Sequence, residues 1–209
     1  MLITFEGLDG TGKTTLLKEI AKYANSSIIT KEPGSPFIEV NQSIRRMVLE
    51  NVDLAPLERE LLFYADASQH KTYIEKNKDK LILSDRGLLS HLAYLRGYLK
   101  TKAIDFEDYS LCRALIKKCC ATPDLIVYLS GSVELMRVRT AGKEKDAIEQ
   151  NGHLFYHHVL ETYKDLVNND WQEKCLVLDA TSPIDENITR VLSYLQEEGN
   201  EILFKELRD

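Results

Sequence analysis

The eight residues from Gly7 to Thr14, "GLDGTGKT", constrain this chain more than any other stretch. They satisfy the spacing G-x-x-x-x-G-K-[ST] in full, with Gly7, Gly12, Lys13 and Thr14 at the defining positions. Such a loop needs a strand before it and a helix after it. The apolar run "LITFE" (2–6) supplies the first, and a helix candidate beginning at Lys13 supplies the second. Glycines let the backbone turn so that its N–H groups point inward at phosphate oxygens. The following helix adds the positive end of its dipole. The expected ligand is a nucleoside triphosphate, cradled by Gly7, Leu8, Asp9, Gly10, Thr11, Gly12, Lys13, Thr14 and Thr15. Lys13 can reach the β- and γ-phosphates and Thr14 can ligate Mg²⁺. The loop alone leaves open whether the phosphoryl group goes to water, to a small molecule or nowhere, as in a switch.

Short apolar runs alternate with longer helix-like stretches along the rest of the chain. "LITFE" (2–6), "SSIIT" (26–30), "KLILSD" (80–85), "DLIVYLS" (124–130) and "CLVLDA" (175–180) are the strand candidates. Their consecutive Ile, Leu and Val suit strands buried on both faces of a parallel sheet. Helices are expected at 13–24, 37–49, 56–77, 105–119, 132–140, 152–168 and 185–197, with Pro56 placed to open the third. This alternation predicts an α/β fold: a P-loop NTPase three-layer sandwich, its five-stranded parallel sheet flanked by helices on both faces. Ligands in such sheets bind beyond the carboxyl ends of the strands.

A length of 209 residues fits one domain. The net charge of -6 argues against a general nucleic-acid grip, which needs a basic surface. The apolar runs are too short to span a bilayer, and no secretory leader is expected. Cys112, Cys119, Cys120 and Cys175 form no C-x-x-C pair, so they read as reduced thiols of a cytoplasmic protein.

A second informative stretch is "LILSDRGLLSHLAY" (81–94), where a buried strand ends in Asp85-Arg86. An Asp at that place can hold Mg²⁺, directly or through water. Arg86 beside it can fork onto a phosphate. At this point the chain resembles the thymidylate kinase family of nucleoside monophosphate kinases, over nearly its whole length. "FEGLDGTGKTT", "KEPG" (31–34), "LLFYAD" (61–66), "SDR" with "SHLAY" (84–94), the basic stretch 137–145 and "LDA" (178–180) occur in the family's order.

The resemblance implies transfer of the ATP γ-phosphoryl group to dTMP, with Mg²⁺, in a single domain over 1–209 with a lid near 137–150. It implies that Asp9 faces the acceptor sugar's 3′-hydroxyl, that Phe63 stacks on the thymine ring, and that Arg86 binds the acceptor phosphate and the transferring group. Tyr94 matches the aromatic residue that crowds the 2′ position. Arg45 matches a phosphate-contacting position, and Glu32, Ser90 and His91 fall in the same cleft. Family members are usually homodimers. For this chain the faces of 56–77 and 105–119 are the candidate interface.

The lid sequence "RVRTAGKEKDAIE" (137–149) carries Arg137, Arg139, Lys143 and Lys145. A lid excludes water, and its cations neutralise charge on the transferring oxygens. The P-loop has Gly10 and Thr11 after Asp9, with no arginine, so the resemblance places the catalytic arginine in the lid, as Arg137 or Arg139.

The pattern also breaks. The arginine that usually follows the stacking Phe by four positions is Ala67 here, a tyrosine after Asp-Arg is Gly87, and Asp-Arg-Ile-Glu in the lid reads Asp146-Ala147-Ile148-Glu149. On position alone, His91 is a candidate to replace the lost base contact, and Ala67→Arg reads as a way to restore it. His153 and His157 have i,i+4 metal-binding spacing without the Glu of H-E-x-x-H, and read as helix surface. Tyr163 and Trp171 read as packing, and 197–209 as a charged terminal helix. Two rivals remain: a related kinase with another deoxynucleoside monophosphate as acceptor, and a nucleotide-dependent switch.

Overall fold

The fold is that of a computed structural model, which describes residues 1–51, 53–102, 106–144 and 146–199, without the side chains of 56 and 106–109. Lys145 of the lid and the terminal helix expected after 199 lie outside the described residues. Five strands, β1 (Leu2–Glu6), β2 (Ser27–Lys31), β3 (Leu81–Asp85), β4 (Leu125–Ser130) and β5 (Cys175–Asp179), form one parallel sheet in the order β2-β3-β1-β4-β5. The central β1 is buried along its whole length, as its unbroken apolar run requires. Its register sets Phe5 beside Asp85 on β3 and Glu6 beside Tyr128 on β4.

Helices cover both faces. On one face α1 (Lys13–Tyr23) and α8 (Ile184–Glu197) bury Leu16, Leu17, Ile20, Ile188, Val191, Leu192 and Leu195 against Phe5, Leu83 and Val127. In α8 the apolar residues fall at i, i+3, i+4 and i+7, the stripe that a half-buried helix needs. Each fully buried side chain of this size contributes about 2 kcal/mol. The opposite face carries α3 (Pro56–Lys76), α4 (Leu88–Lys102), α5 (Phe106–Cys119) and α7 (Gly152–Asp165), packed over Ile126 and Tyr128. Two further helices, α2 (Glu39–Glu50) and α6 (Val133–Thr140), contribute Arg45, Leu49, Arg137 and Arg139 to the cavities at the carboxyl edge of the sheet.

The sequence reading misses one helix, α4. Its Leu88, Leu89, Leu92, Ala93 and Leu95 are all buried, together with Ser90 and Gly97. Packed among its neighbours, it has no continuous polar face, so its periodicity is blurred. The helix expected over 152–168 ends at Asp165 and passes into a π turn, Leu166–Asp170. Among the described residues, no helix is long and apolar enough to cross a membrane.

Candidate active site

Four of the five strands deliver chemistry at their carboxyl ends. The P-loop follows β1, Glu32 follows β2, Asp85 ends β3 with Arg86 just beyond it, and the turn into α6 follows β4. Two cavities open here. One, of about 620 Å³, is lined by the P-loop with Lys31, Asp85, Arg139 and Lys143. The other, of about 290 Å³, lies between α3, α4 and the lid, against Phe63, His91, Tyr94 and Ile148. Both are walled by Asp9, Glu32, Arg45, Arg86 and Glu149.

Arg86 is the hinge between them. Its φ of 74° is left-handed, a conformation that a non-glycine residue holds only when its surroundings over-determine it. Those surroundings are a set of acceptors. Nη1 donates to the Gly7 carbonyl at 3.2 Å, to Ser90 Oγ at 3.0 Å and to Tyr163 Oη at 3.3 Å. Nη2 donates to Asp9 Oδ1 at 2.5 Å and to Tyr94 Oη at 3.1 Å. Burial opposes the guanidinium charge, but Tyr94, Asp9, Tyr163 and Asp85 outweigh it, and its pKa is raised well above the ordinary value. Asp9 shows the converse. Burial pushes its carboxyl up, yet the charges of Arg86 and Lys13 and the hydrogen bonds from Arg86 and Tyr94 bring it down to about 2. It is therefore a carboxylate at any working pH.

Beneath Arg86 lies a carboxyl that the sequence does not single out. Glu6 is fully buried at the end of β1. Its Oε2 accepts from Ser90 Oγ, and Tyr163 Oη lies 3.4 Å away. Burial raises its pKa against the effects of Ser90 and Arg86. Tyr163, expected only to pack, joins this network and stacks on Tyr128 with ring centroids 5.4 Å apart. The glycine at 87 also finds its reason here. A Cβ on Gly87 would meet Thr4 Cγ2 at 2.9 Å and Glu6 Oε1 at 3.7 Å, so a larger side chain would displace this floor.

In the P-loop, Lys13 is buried and donates to the Leu8 carbonyl at 2.7 Å. Burial, then repulsion from Arg86, lowers its pKa to about 8. Thr14 Oγ1 donates to the Asp85 carboxylate, so two oxygen donors meet at the mouth of the loop. That donor set, hard and partly anionic, fits Mg²⁺. The two arginines at the end of α6 separate. Arg139 Nη1 donates to the Gly10 carbonyl at 3.2 Å and lines the P-loop cavity. Arg137 lines a neighbouring cavity instead. Gly10 has φ 72°, and a Cβ there would lie 3.1 Å from the Cβ of Arg139. An arginine in the loop at position 10 would crowd the place that Arg139 takes.

On the acceptor side Phe63 is pocket wall rather than core, half-buried and edge-on to His91 at 5.9 Å. His91 Nε2 bonds Glu32 Oε2 at 2.8 Å, and His70 Nδ1 bonds the other oxygen, Oε1, at 2.5 Å. Burial raises the Glu32 carboxyl, but hydrogen bonds from His70 and His91 bring it down to about 2. For His91, burial opposes charge, while contacts with Cys120 and Glu32 outweigh it and raise the pKa well above the ordinary value. Its hydrogen-bonding capacity is thus committed to protein partners, which leaves a ring edge for a base. Arg45 lines both cavities, with Nη1 donating to the Pro33 carbonyl at 2.9 Å. The segment after α6 reaches across: Ala147 N donates to the Leu49 carbonyl of α2 at 2.8 Å.

Ala67 does not line the acceptor cavity. It is fully buried, in one packed cluster with Tyr64, Leu88, Leu89 and Cys120. The reading of Ala67→Arg as a restored base contact changes accordingly. An arginine there has no room and no water for its charge. The variant is expected to lose about 3 kcal/mol or more of stability, measured as a drop in Tm, rather than to improve use of dTMP. A variant as stable as the native chain would show that the cluster can open.

Two cavities that meet over one arginine suit two substrates with a group passing between them, which places the molecule among the P-loop kinases of small phosphorylated acceptors. Comparison with known proteins narrows the class. A sequence profile described as Thymidylate kinase matches residues 5–191, and the chain belongs to that family. The thymidylate kinase of Campylobacter lari is 31% identical over 203 residues, 94% of this chain and 100% of the relative. A probable thymidylate kinase of Methanospirillum hungatei is 34% identical, over 91% of each chain. Among solved structures, a thymidylate kinase from Ehrlichia chaffeensis matches with a TM-score of 0.68 and 25% identity, covering 94% of this chain and 98% of that one. The Candida albicans enzyme shares the fold, with a TM-score of 0.76 at 20% identity over 95% of this chain and 92% of that one.

Proposed function

We propose that this chain transfers the γ-phosphoryl group of ATP to dTMP, giving dTDP and ADP. The observation that carries this reading is the pair of joined cavities, with Asp9 and Arg86 in both walls. A switch needs only the first cavity. The acceptor phosphate is already nucleophilic at neutral pH, so no strong general base is required, and the rate rests on positioning and charge neutralisation. Lys13, Arg86 and Arg139 form the cationic clamp. Thr14 and Asp85 are the residues that would hold Mg²⁺, which when bound withdraws charge from the phosphates. Asp9, Phe63 and Tyr94 position the nucleoside, and residues 137–150 close over it as a lid on a single domain. A panel of nucleoside monophosphates in an ADP-release assay tests the assignment. Release stimulated by dTMP above all others supports it; release indifferent to every monophosphate points to a switch.

Selection of the base falls to the wall around Phe63. Glu60 lies three residues before Phe63 on α3 and lines the same cavity. Burial raises its carboxyl to about 7, against the lowering effects of His91, Tyr64 and Arg59. Tyr98 of α4 also faces it, and Cys112 of α5 lies beyond Tyr64. A neutral carboxyl offers one donor and one acceptor, the complement of the N3–H and C4=O of thymine; a carboxylate would repel that carbonyl. Because the folded pKa is raised, the protonated form persists up to about 7 and is lost as pH rises through that value. Affinity for dTMP should therefore fall above neutrality. Glu60→Gln, which keeps a donor and an acceptor at all pH values, should flatten that fall. An identical pH profile in the variant would remove Glu60 from the reading.

The family's homodimer is proposed here through α3 and α5, where Leu61, Leu111 and Leu115 are exposed large apolar side chains. Sedimentation at the mass of a monomer across micromolar concentrations would count against it. A cytoplasmic setting is supported by four free cysteines.

A further inference from the structure

The histidines of α7 gain a partner in the fold that the sequence does not offer. His153 and His157 stand one turn apart, and their Nε2 atoms are 3.2 Å from each other. Glu134, in the first turn of α6, places Oε1 3.5 Å from His153 Nε2. All three ligand atoms lie within 4.8 Å of one another. Around a metal held by nitrogen and oxygen at about 2.0–2.1 Å, tetrahedral ligands stand roughly 3.3–3.4 Å apart. The two nearest separations bracket that value. The rings sit at 68° with centroids 4.3 Å apart.

We infer that Glu134, His153 and His157 form a site for a divalent transition ion of the zinc class. Two imidazoles and one carboxylate favour Zn²⁺ over Mg²⁺ or Ca²⁺, which prefer all-oxygen shells. The fourth position faces solvent, since Glu134 and His153 are exposed and His157 is only half-buried. The placement suggests what occupancy does. Glu134 precedes the lid in sequence and the two histidines follow it, so one ion ties both ends of the lid. His153 also lines the cavity beneath the lid, with Arg137, Lys143 and Glu149. A bound ion fixes the frame from which Arg137 and Arg139 project, without itself touching the reacting phosphates.

The experiment uses the full chain, stripped with chelator and kept free of nucleotide, because triphosphates bind zinc themselves. Titration with ZnCl₂ in a calorimeter is expected to show one equivalent bound. Cobalt(II) in its place is expected to give the visible absorption of a tetrahedral ion. His153→Ala and Glu134→Gln should each weaken zinc binding by at least the roughly tenfold that loss of even a supporting contact costs. Both variants should retain the native circular dichroism and, with Mg²⁺ alone, the native kinase rate. Zinc should also slow proteolytic cleavage within 137–150 in the native chain and not in His153→Ala. Binding that is unchanged in both variants would overturn the site. One-to-one binding at the site without protection of the lid would overturn the bracing role.

Discussion

Replacing Arg86 with alanine is expected to lower kcat/KM for dTMP by about three orders of magnitude, through both kcat and KM, as removal of a preorganised donor does at such a site. The arginine lies in the walls of both cavities, and its side chain is held by five acceptors. A guanidinium fixed in this way needs no reorganisation when charge develops on the transferring group. Lysine at 86 is a poor substitute, because a point charge cannot bridge Asp9, Ser90 and Tyr94 at once. Stability should fall too, since Asp9 and Glu6 would be left without their cation. Asp9 is one-third exposed, so that loss belongs near or below the low end of the ~3–5 kcal/mol typical of broken buried pairs. The double variant Arg86→Ala with Asp9→Asn separates the two effects. It should recover part of the lost Tm and none of the lost turnover. Turnover within tenfold of native in the single variant would move the clamp elsewhere.

Arg139→Ala should cost about 10³-fold in kcat, the lower range for loss of a cation that meets the transferring phosphoryl group, while Arg137→Ala should cost less than about tenfold. Side-chain placement is the reason. Arg139 reaches the P-loop at Gly10, and Arg137 lines the adjoining cavity. The KM for dTMP should change little in either variant, because neither arginine lines the acceptor cavity. Single-turnover kinetics at saturating ATP measure the step directly. Equal losses from the two variants, or a larger loss from Arg137→Ala, would reverse the assignment.

Much of this was legible in the chain itself. Consecutive apolar residues in β1, β3 and β4 can only be shielded from both sides, so parallel strands under two helical layers follow from composition and order. The phosphate loop is equally local: its glycines, Lys13 and Thr14 are neighbours in sequence, and their spacing is the site. α4 was hidden because burial on several sides erases the periodicity that marks a helix. The replacement at position 67 was visible as a letter, but its meaning was not. Whether an alanine faces a cavity or a packed cluster depends on Tyr64 of its own helix, on Leu88 of α4 and on Cys120 just beyond α5.

The sequence by itself determined the strands, the phosphate loop and the placing of Asp85 and Arg86 side by side at a strand end, because each rests on residues adjacent in the chain. Only the tertiary structure decided which lid arginine meets the P-loop, that His91 spends its hydrogen bonds on Glu32 rather than on a base, and that Glu60 belongs to the pocket. It also decided that Glu134 joins His153 and His157 across the lid. His153 and His157 stand 19 and 23 positions beyond Glu134 in the chain. Distances of a few ångströms between such groups are set by how helices pack on the sheet. Hydrogen bonds, charge coupling and burial all act over those distances and not along the chain.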